Sequence, residues 1–60
     1  MTPRKAYKSP VMKELLKNYE KYKGKSPTKQ KFINNIVLKY NEDKDFKGSF
    51  DDYLIKEYNI

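Results

Sequence analysis

A chain of 60 residues with no cysteine and no histidine has room for one domain around one thin core, without disulfides or the usual structural-metal ligands to reinforce it. Lys and Arg number 14 against 8 Asp and Glu, for a net charge of +6, so partners that are themselves acidic are the ones to expect. No apolar run approaches the roughly 20 residues needed to span a bilayer, and residues 1–10 are polar and basic where a signal segment would be apolar, so a cytoplasmic protein is expected.

The elements follow in chain order. Residues 1–8 read as a flexible basic arm, because Arg4, Lys5 and Lys8 are charged and only Ala6 and Tyr7 offer anything to bury. Residues 9–60 read as a single small helical domain. Ser9-Pro10 places an N-cap before a proline suited to the first helical position. Val11, Met12, Leu15, Leu16, Tyr19 and Tyr22 then recur with helical spacing, predicting a helix over about 10–23 that Gly24 ends. Ser26-Pro27 repeats the start signal, and Phe32, Ile33, Ile36, Val37 and Tyr40 predict a second helix over about 27–40, closed by Asn41.

The following stretch, NEDKDFKG, is polar except for Phe46, which is expected to plug the core from the loop. Ser49 with Asp52 three residues on is a capping-box-like start, with Asp in place of the commoner Glu. It predicts a third helix over about 50–58 carrying Phe50, Tyr53, Leu54 and Tyr58. Period-two alternation is nowhere sustained. The expected fold is all-α, a small three-helix bundle preceded by the arm.

Charge is unevenly spread. Residues 1–31 hold ten Lys and Arg against Glu14 and Glu20, whereas residues 32–60 hold four Lys against six Asp and Glu. A positive half of this kind attracts polyanions over about a Debye length, roughly 8 Å at physiological salt. Lys13, Lys17 and Lys21 are spaced i, i+4, i+8, so on one continuous helix they stack along one side and repel. A phosphate backbone relieves that repulsion; a solvated polar face opposite the core stripe is the bland alternative. Lys23, Lys25, Lys29 and Lys31 continue the positive field across the turn, where the backbone amides near Thr28 and Lys29 start the second helix and are placed to cradle a phosphate oxygen. Thr2-Pro3-Arg4-Lys5 is similar to short motifs of histone tails and other chromatin proteins that lie in the minor groove of AT-rich DNA.

Two other chemistries are weighed and set aside. Asp43, Asp45, Gly48 and Asp51 match positions 1, 3, 6 and 9 of a calcium-binding loop, but position 5 is Lys47 and position 12 is Leu54, so two oxygen ligands are missing. Catalysis lacks the His and Cys that most often act as base or nucleophile, and a chain this short has little concavity in which to tune a carboxylate pair. No enzyme activity, cofactor or metal is expected.

The run LLKNYEKYKGKSPTKQKFINNI, residues 15–36, resembles the opening of the helix-turn-helix domain of LexA-type repressors, with Leu15, Leu16, Tyr19, Gly24, Pro27, Thr28 and Ile36 at the matching places. That resemblance implies DNA binding, but eight residues, Asn41 to Gly48, stand where the family has a tight turn, so no recognition-helix residues carry over. The run FINNIVLKYNEDKDFKGSFDDYLIKEY, residues 32–58, resembles the small bacterial YozE-type SAM-like family through Asp45, Phe46, Tyr53 and Tyr58, with Lys47 where that family has Pro. It implies a compact helical module that binds protein or nucleic acid.

The function expected is therefore nucleic-acid binding through phosphates, DNA more than RNA, in a regulatory or accessory role. The expected contacts are Arg4, Lys5, Lys8, Lys13, Lys17, Lys21, Lys25 and Lys29; stacking of Tyr7, Tyr19 or Tyr22 on unpaired bases is an alternative, although Tyr19 and Tyr22 fit the core stripe better. The alternative is a protein-interaction module, such as a phage-encoded inhibitor or adaptor that docks on an acidic host protein. Self-association into a homo-oligomer is a third possibility. The abundance of Lys, Asn and Ile beside a single Arg is the codon signature of an AT-rich genome, as in a low-GC bacterium or its phage.

Overall fold

Four hydroxyl side chains set where helices begin in the computed structural model, which describes all 60 residues. Thr2 Oγ1 accepts from the Lys5 amide at 3.3 Å and opens α1 (Pro3–Ala6). Ser9 Oγ accepts from the Met12 amide at 3.1 Å and opens α2 (Pro10–Lys17). Thr28 Oγ1 accepts from the Lys31 amide at 3.2 Å and opens α4 (Lys29–Glu42), which follows the single turn α3 (Tyr19–Tyr22). At α5 (Phe50–Tyr58) the capping box is complete: Ser49 Oγ accepts from the Asp52 amide at 3.1 Å, and Asp52 Oδ2 accepts from the Ser49 amide at 3.4 Å. Each of these bonds occupies an amide that the helix itself leaves without a partner. The chain is all-helical, with no strand.

The expected first helix is divided. At Asn18 the backbone turns to φ −113°, ψ 34°, and the cause is local competition for one carbonyl. Asn18 Nδ2 donates to the Glu14 carbonyl at 3.2 Å, the acceptor its own amide would use in a continuing helix, while that amide donates to Leu15 O at 3.1 Å. The result is α2 and α3 in place of one helix over 10–23. Gly24 then ends α3 with φ +59°, in the left-handed region that glycine enters without a Cβ clash.

The second start signal is used differently from the first. Ser26 does not cap a helix: its amide closes a turn onto Lys23 O at 3.0 Å, and its carbonyl accepts from Tyr19 Oη at 2.9 Å. Thr28, extended at φ −138°, ψ 160°, takes the cap. The helix expected over 27–40 therefore runs from Lys29 to Glu42 and passes Asn41, the residue expected to close it. The third expected helix matches α5.

Residues 1–8 also differ from the flexible arm expected. Thr2 and Pro3 supply a cap and a first helical residue for one turn, and Ala6 is fully buried in the core against α4. Tyr7 Oη donates to Gln30 Oε1 at 2.8 Å, and Asn41 Nδ2 donates to the Met1 carbonyl at 2.9 Å. The segment is thus tied at two places along α4. A methyl side chain such as that of Ala6 lets two helical backbones approach closely, which is how so short an element finds a seat. The radius of gyration of 10.6 Å is close to the ~10 Å of a compact chain this long.

α2 packs on α5 while α1 packs on α4. Met12, Leu15, Ile33 and Leu54 are the largest side chains with no exposed surface, and Phe32, Ile36, Val37 and Phe50 complete their cluster with Ala6, while Tyr53 is buried against Tyr40 and Phe46. Ser9 is the one buried polar residue; its hydroxyl donates to the Asp51 carboxylate, so the start of α2 is joined to the start of α5. Phe46 does not enter the core. It lies half-buried over the aromatic pair Tyr40 and Tyr53, with ring centroids 6.3 and 5.3 Å away. Gly48 makes room for it, since a Cβ there would stand 2.8 Å from Phe46 Cζ.

Candidate nucleic-acid interface

Of the eight cations expected to contact phosphates, all are exposed. α1 carries Arg4 and Lys5, the α1–α2 turn Lys8, α2 Lys13 and Lys17, α3 Lys21, the α3–α4 loop Lys25, and the first position of α4 Lys29. The break at Asn18 bends the row Lys13, Lys17, Lys21 between its second and third members.

The fold gathers these residues into separate groups. Lys17, Lys21 and Lys29 line one surface depression together with Leu16, Asn18 and Tyr19, so cations from α2, α3 and α4 meet at the break. Glu20 lines it too, but its carboxylate is held by Lys23 at 2.8 Å. Lys5 and Lys8 line a different depression beside Asp51, whose charge offsets part of theirs. Lys25 faces a third, with Lys23 and Lys39. Arg4 and Lys13 line none of them.

Few of the cations are neutralised within the chain. The ion pairs are Lys17 with Glu14 at 3.9 Å and Lys23 with Glu20 at 2.8 Å. Twelve of the 14 Lys and Arg therefore have no carboxylate in reach. The Lys17 pair is long and exposed on both sides, so it competes weakly with a phosphate. Lys23 is the better satisfied: its hydrogen bond to Glu20, then the charge of Glu20, holds its pKa above the usual 10.5.

Two residues of this region, Lys39 and Tyr58, escape the sequence reading. Lys23 and Lys39 join Lys25 at the third depression, and Tyr22 and Tyr58 stand there with ring centroids 5.6 Å apart, edge to face. Lys39 follows Phe32 and Ile36 at helical spacing, a signal that places it beside the apolar stripe. No spacing in the sequence brings Tyr58, at the far end of α5, to the α3–α4 loop. Burial, then the neighbouring Glu57, pushes the Tyr58 hydroxyl above its usual 10.0, so it stays a neutral donor at physiological pH.

No three carboxylates converge to hold a metal ion, and no helix is long and apolar enough to cross a membrane. Comparison with protein-family models, with curated proteins and with solved structures gives no match.

Proposed function

We propose that this protein binds nucleic acid chiefly through phosphate contacts made by the cations around α3. The observation that carries this reading is the meeting of Lys17, Lys21 and Lys29 at one depression, in a chain where twelve of 14 cations have no carboxylate partner. Ammonium groups held near one another, only Lys17 with a long and exposed carboxylate partner, raise the local potential, and a phosphate backbone that settles there releases its own counterions. Thr28 caps the Lys31 amide at the start of α4, and the positive end of that helix, beside Lys29, adds to the same field. Contacts of this type position the polyanion without reading its bases. A regulatory or accessory role on DNA in the cytoplasm accords with that mode. The resemblance to LexA-type repressors implies the same activity, while that to the YozE-type family is compatible with binding either nucleic acid or protein.

The test compares two variants of equal charge. Lys21→Ala with Lys29→Ala removes two cations from the depression, whereas Lys44→Ala with Lys47→Ala removes two from the α4–α5 loop. Fluorescence anisotropy with a labelled mixed-sequence duplex should show roughly tenfold weaker binding for the first and less than about threefold for the second. Equal losses would mean that net charge alone attracts the duplex, and the depression would have no special part.

A second reading rests on a separate surface. Ile55 and Ile60 are 43% and 45% exposed and line a largely apolar groove with Pro10, Val11 and the carboxylate-bearing Glu14 between α2 and α5. Such a patch is suited to a protein contact, including one with an acidic host protein or a second copy of this chain. Ile55→Glu would abolish a concentration-dependent increase in mass, or the capture of such a partner, while leaving duplex binding intact.

A further inference from the structure

The third depression differs in character from the other two. It is a cleft of about 440 Å³ between the α3–α4 loop, α4 and the end of α5, within the roughly 300–1,000 Å³ range of sites that hold small organic groups. Its wall is aromatic, from Tyr22 and Tyr58 with Phe32 behind them, and its rim is cationic, from Lys23, Lys25 and Lys39. No carboxylate lines it. No hydrogen bond within the chain uses the hydroxyl of Tyr22 or Tyr58, nor, outside this cleft, that of Tyr53, whereas Tyr7, Tyr19 and Tyr40 donate to neighbours. The two cleft hydroxyls belong to residues that are half-buried, so their rings are fixed by packing while their polar ends reach solvent.

An aromatic wall, two unused hydroxyls and unpaired ammonium groups match one ligand chemistry: a planar heterocycle that carries a phosphate. We infer that this cleft takes an unpaired nucleotide of a single strand, its base against Tyr22 and Tyr58 and its phosphates on Lys25 and Lys39. The inference deepens the phosphate-binding reading and rests on it. A duplex keeps its bases stacked on one another, so it presents phosphates to the rim but nothing to the wall; only an unpaired base meets both. Lys21 Nζ sits 5.3 Å from the Tyr22 ring centroid, an exposed contact that an incoming base displaces at small cost. Lys23 remains with Glu20 and sets the edge of the cleft.

Three arms of one titration test this, all with the full chain. Anisotropy is measured for a labelled thymidine oligomer, for a duplex of equal length, and for displacement of the oligomer by thymidine monophosphate. Stacking on an aromatic ring changes affinity between about fivefold and a hundredfold per base. The oligomer should therefore bind at least about fivefold more tightly than the duplex, and Tyr22→Leu should remove most of that difference. Lys25→Ala with Lys39→Ala, both exposed and away from the core, should weaken oligomer and duplex alike, by up to about tenfold, because each presents phosphates to the rim; Tyr22→Leu is the variant that separates strand from duplex. Displacement by the mononucleotide supports the base-plus-phosphate chemistry, and displacement at equal affinity identifies a free nucleotide as its source. Equal affinity for strand and duplex, unchanged by either variant, would overturn the cleft while leaving phosphate binding at Lys17, Lys21 and Lys29 standing. Binding of neither would overturn both. Circular dichroism of each variant separates loss of binding from loss of fold.

Discussion

Ser9→Ala should be the most costly removal of a single hydroxyl in this protein. Ser9 Oγ accepts from the Met12 amide at 3.1 Å and donates to the Asp51 carboxylate across the α2–α5 junction, at a position 8% exposed. Losing an N-cap costs about 1 kcal/mol, and a hydrogen bond to a charged group about 1.5–3 kcal/mol. Asp51 is half-exposed and regains water when its partner goes, so only part of the second figure is lost. The combined effect is about 2–3 kcal/mol, from a total stability on the order of 3–9 kcal/mol for a chain this short. At about 4–8 °C per kcal/mol, Tm should fall by roughly 10–20 °C.

The control is the other Ser-Pro pair. The Ser26 hydroxyl makes no hydrogen bond, and the Tyr19 contact uses the Ser26 main-chain carbonyl, which alanine retains. Ser26→Ala should therefore change stability by less than about 0.5 kcal/mol, whereas Thr28→Ala should cost about 1 kcal/mol. Urea unfolding followed by helical circular dichroism measures all three, and a double-mutant cycle with Asp51→Asn reports the coupling across the junction. A Ser26→Ala loss equal to that of Ser9→Ala would refute the assignment of caps.

Further outcomes follow from the same geometry. Gly48→Ala places a Cβ 2.8 Å from Phe46 Cζ and 3.1 Å from Asp52 Cβ and should cost about 1–3 kcal/mol; adding Phe46→Ala should recover part of it, and strict additivity of the two would count against the contact. Tyr53 and Tyr58 both have hydroxyl pKa values raised above 10.0, chiefly by burial. The protonated form is thus favoured in the fold, so the associated stability is complete below about pH 10 and is lost as pH rises through the raised folded values. The urea midpoint should hold to near pH 10 and fall as pH rises above it, and less in Tyr53→Phe than in the unaltered protein. Deleting residues 1–8 uncovers the α4 surface under Ala6 and should lower stability by about 1–3 kcal/mol, whereas removing an undocked arm would leave the unfolding midpoint unchanged.

What the sequence reveals here is set by the range over which its signals act. Ser49 and Asp52 interact three residues apart, and the third helix is legible to its ends. The apolar stripes Met12–Leu15 and Phe32–Ile33–Ile36–Val37 likewise name most of the core. The break at Asn18 is local but hidden: an asparagine in a helical pattern is common, and only its hydrogen bond to Glu14 O shows that it divides the helix. Ser9-Pro10 and Ser26-Pro27 are alike as dipeptides. They diverge because Asp51, 42 residues away, takes the hydroxyl of one, and Tyr19 takes the carbonyl of the other. Docking of residues 1–8 rests on pairs 23 and 40 residues apart, Tyr7 with Gln30 and Met1 with Asn41. For the candidate site, exposure of the lysines was readable from their face, but the meeting of Lys17, Lys21 and Lys29, and of Tyr22 with Tyr58, depends on packing between helices.

The central claim is that lysines around α3 take up phosphates, and the salt dependence of duplex binding tests it most directly. Each phosphate neutralised contributes about −0.9 to the slope of the logarithm of the association constant against the logarithm of salt concentration. Engagement of Lys17, Lys21 and Lys29 with one or two neighbours predicts a slope of about −3.6 to −4.5 for the unaltered protein, and about −1.8 to −2.7 for the Lys21→Ala, Lys29→Ala variant. A slope near zero, or no binding even at low salt, would contradict the claim.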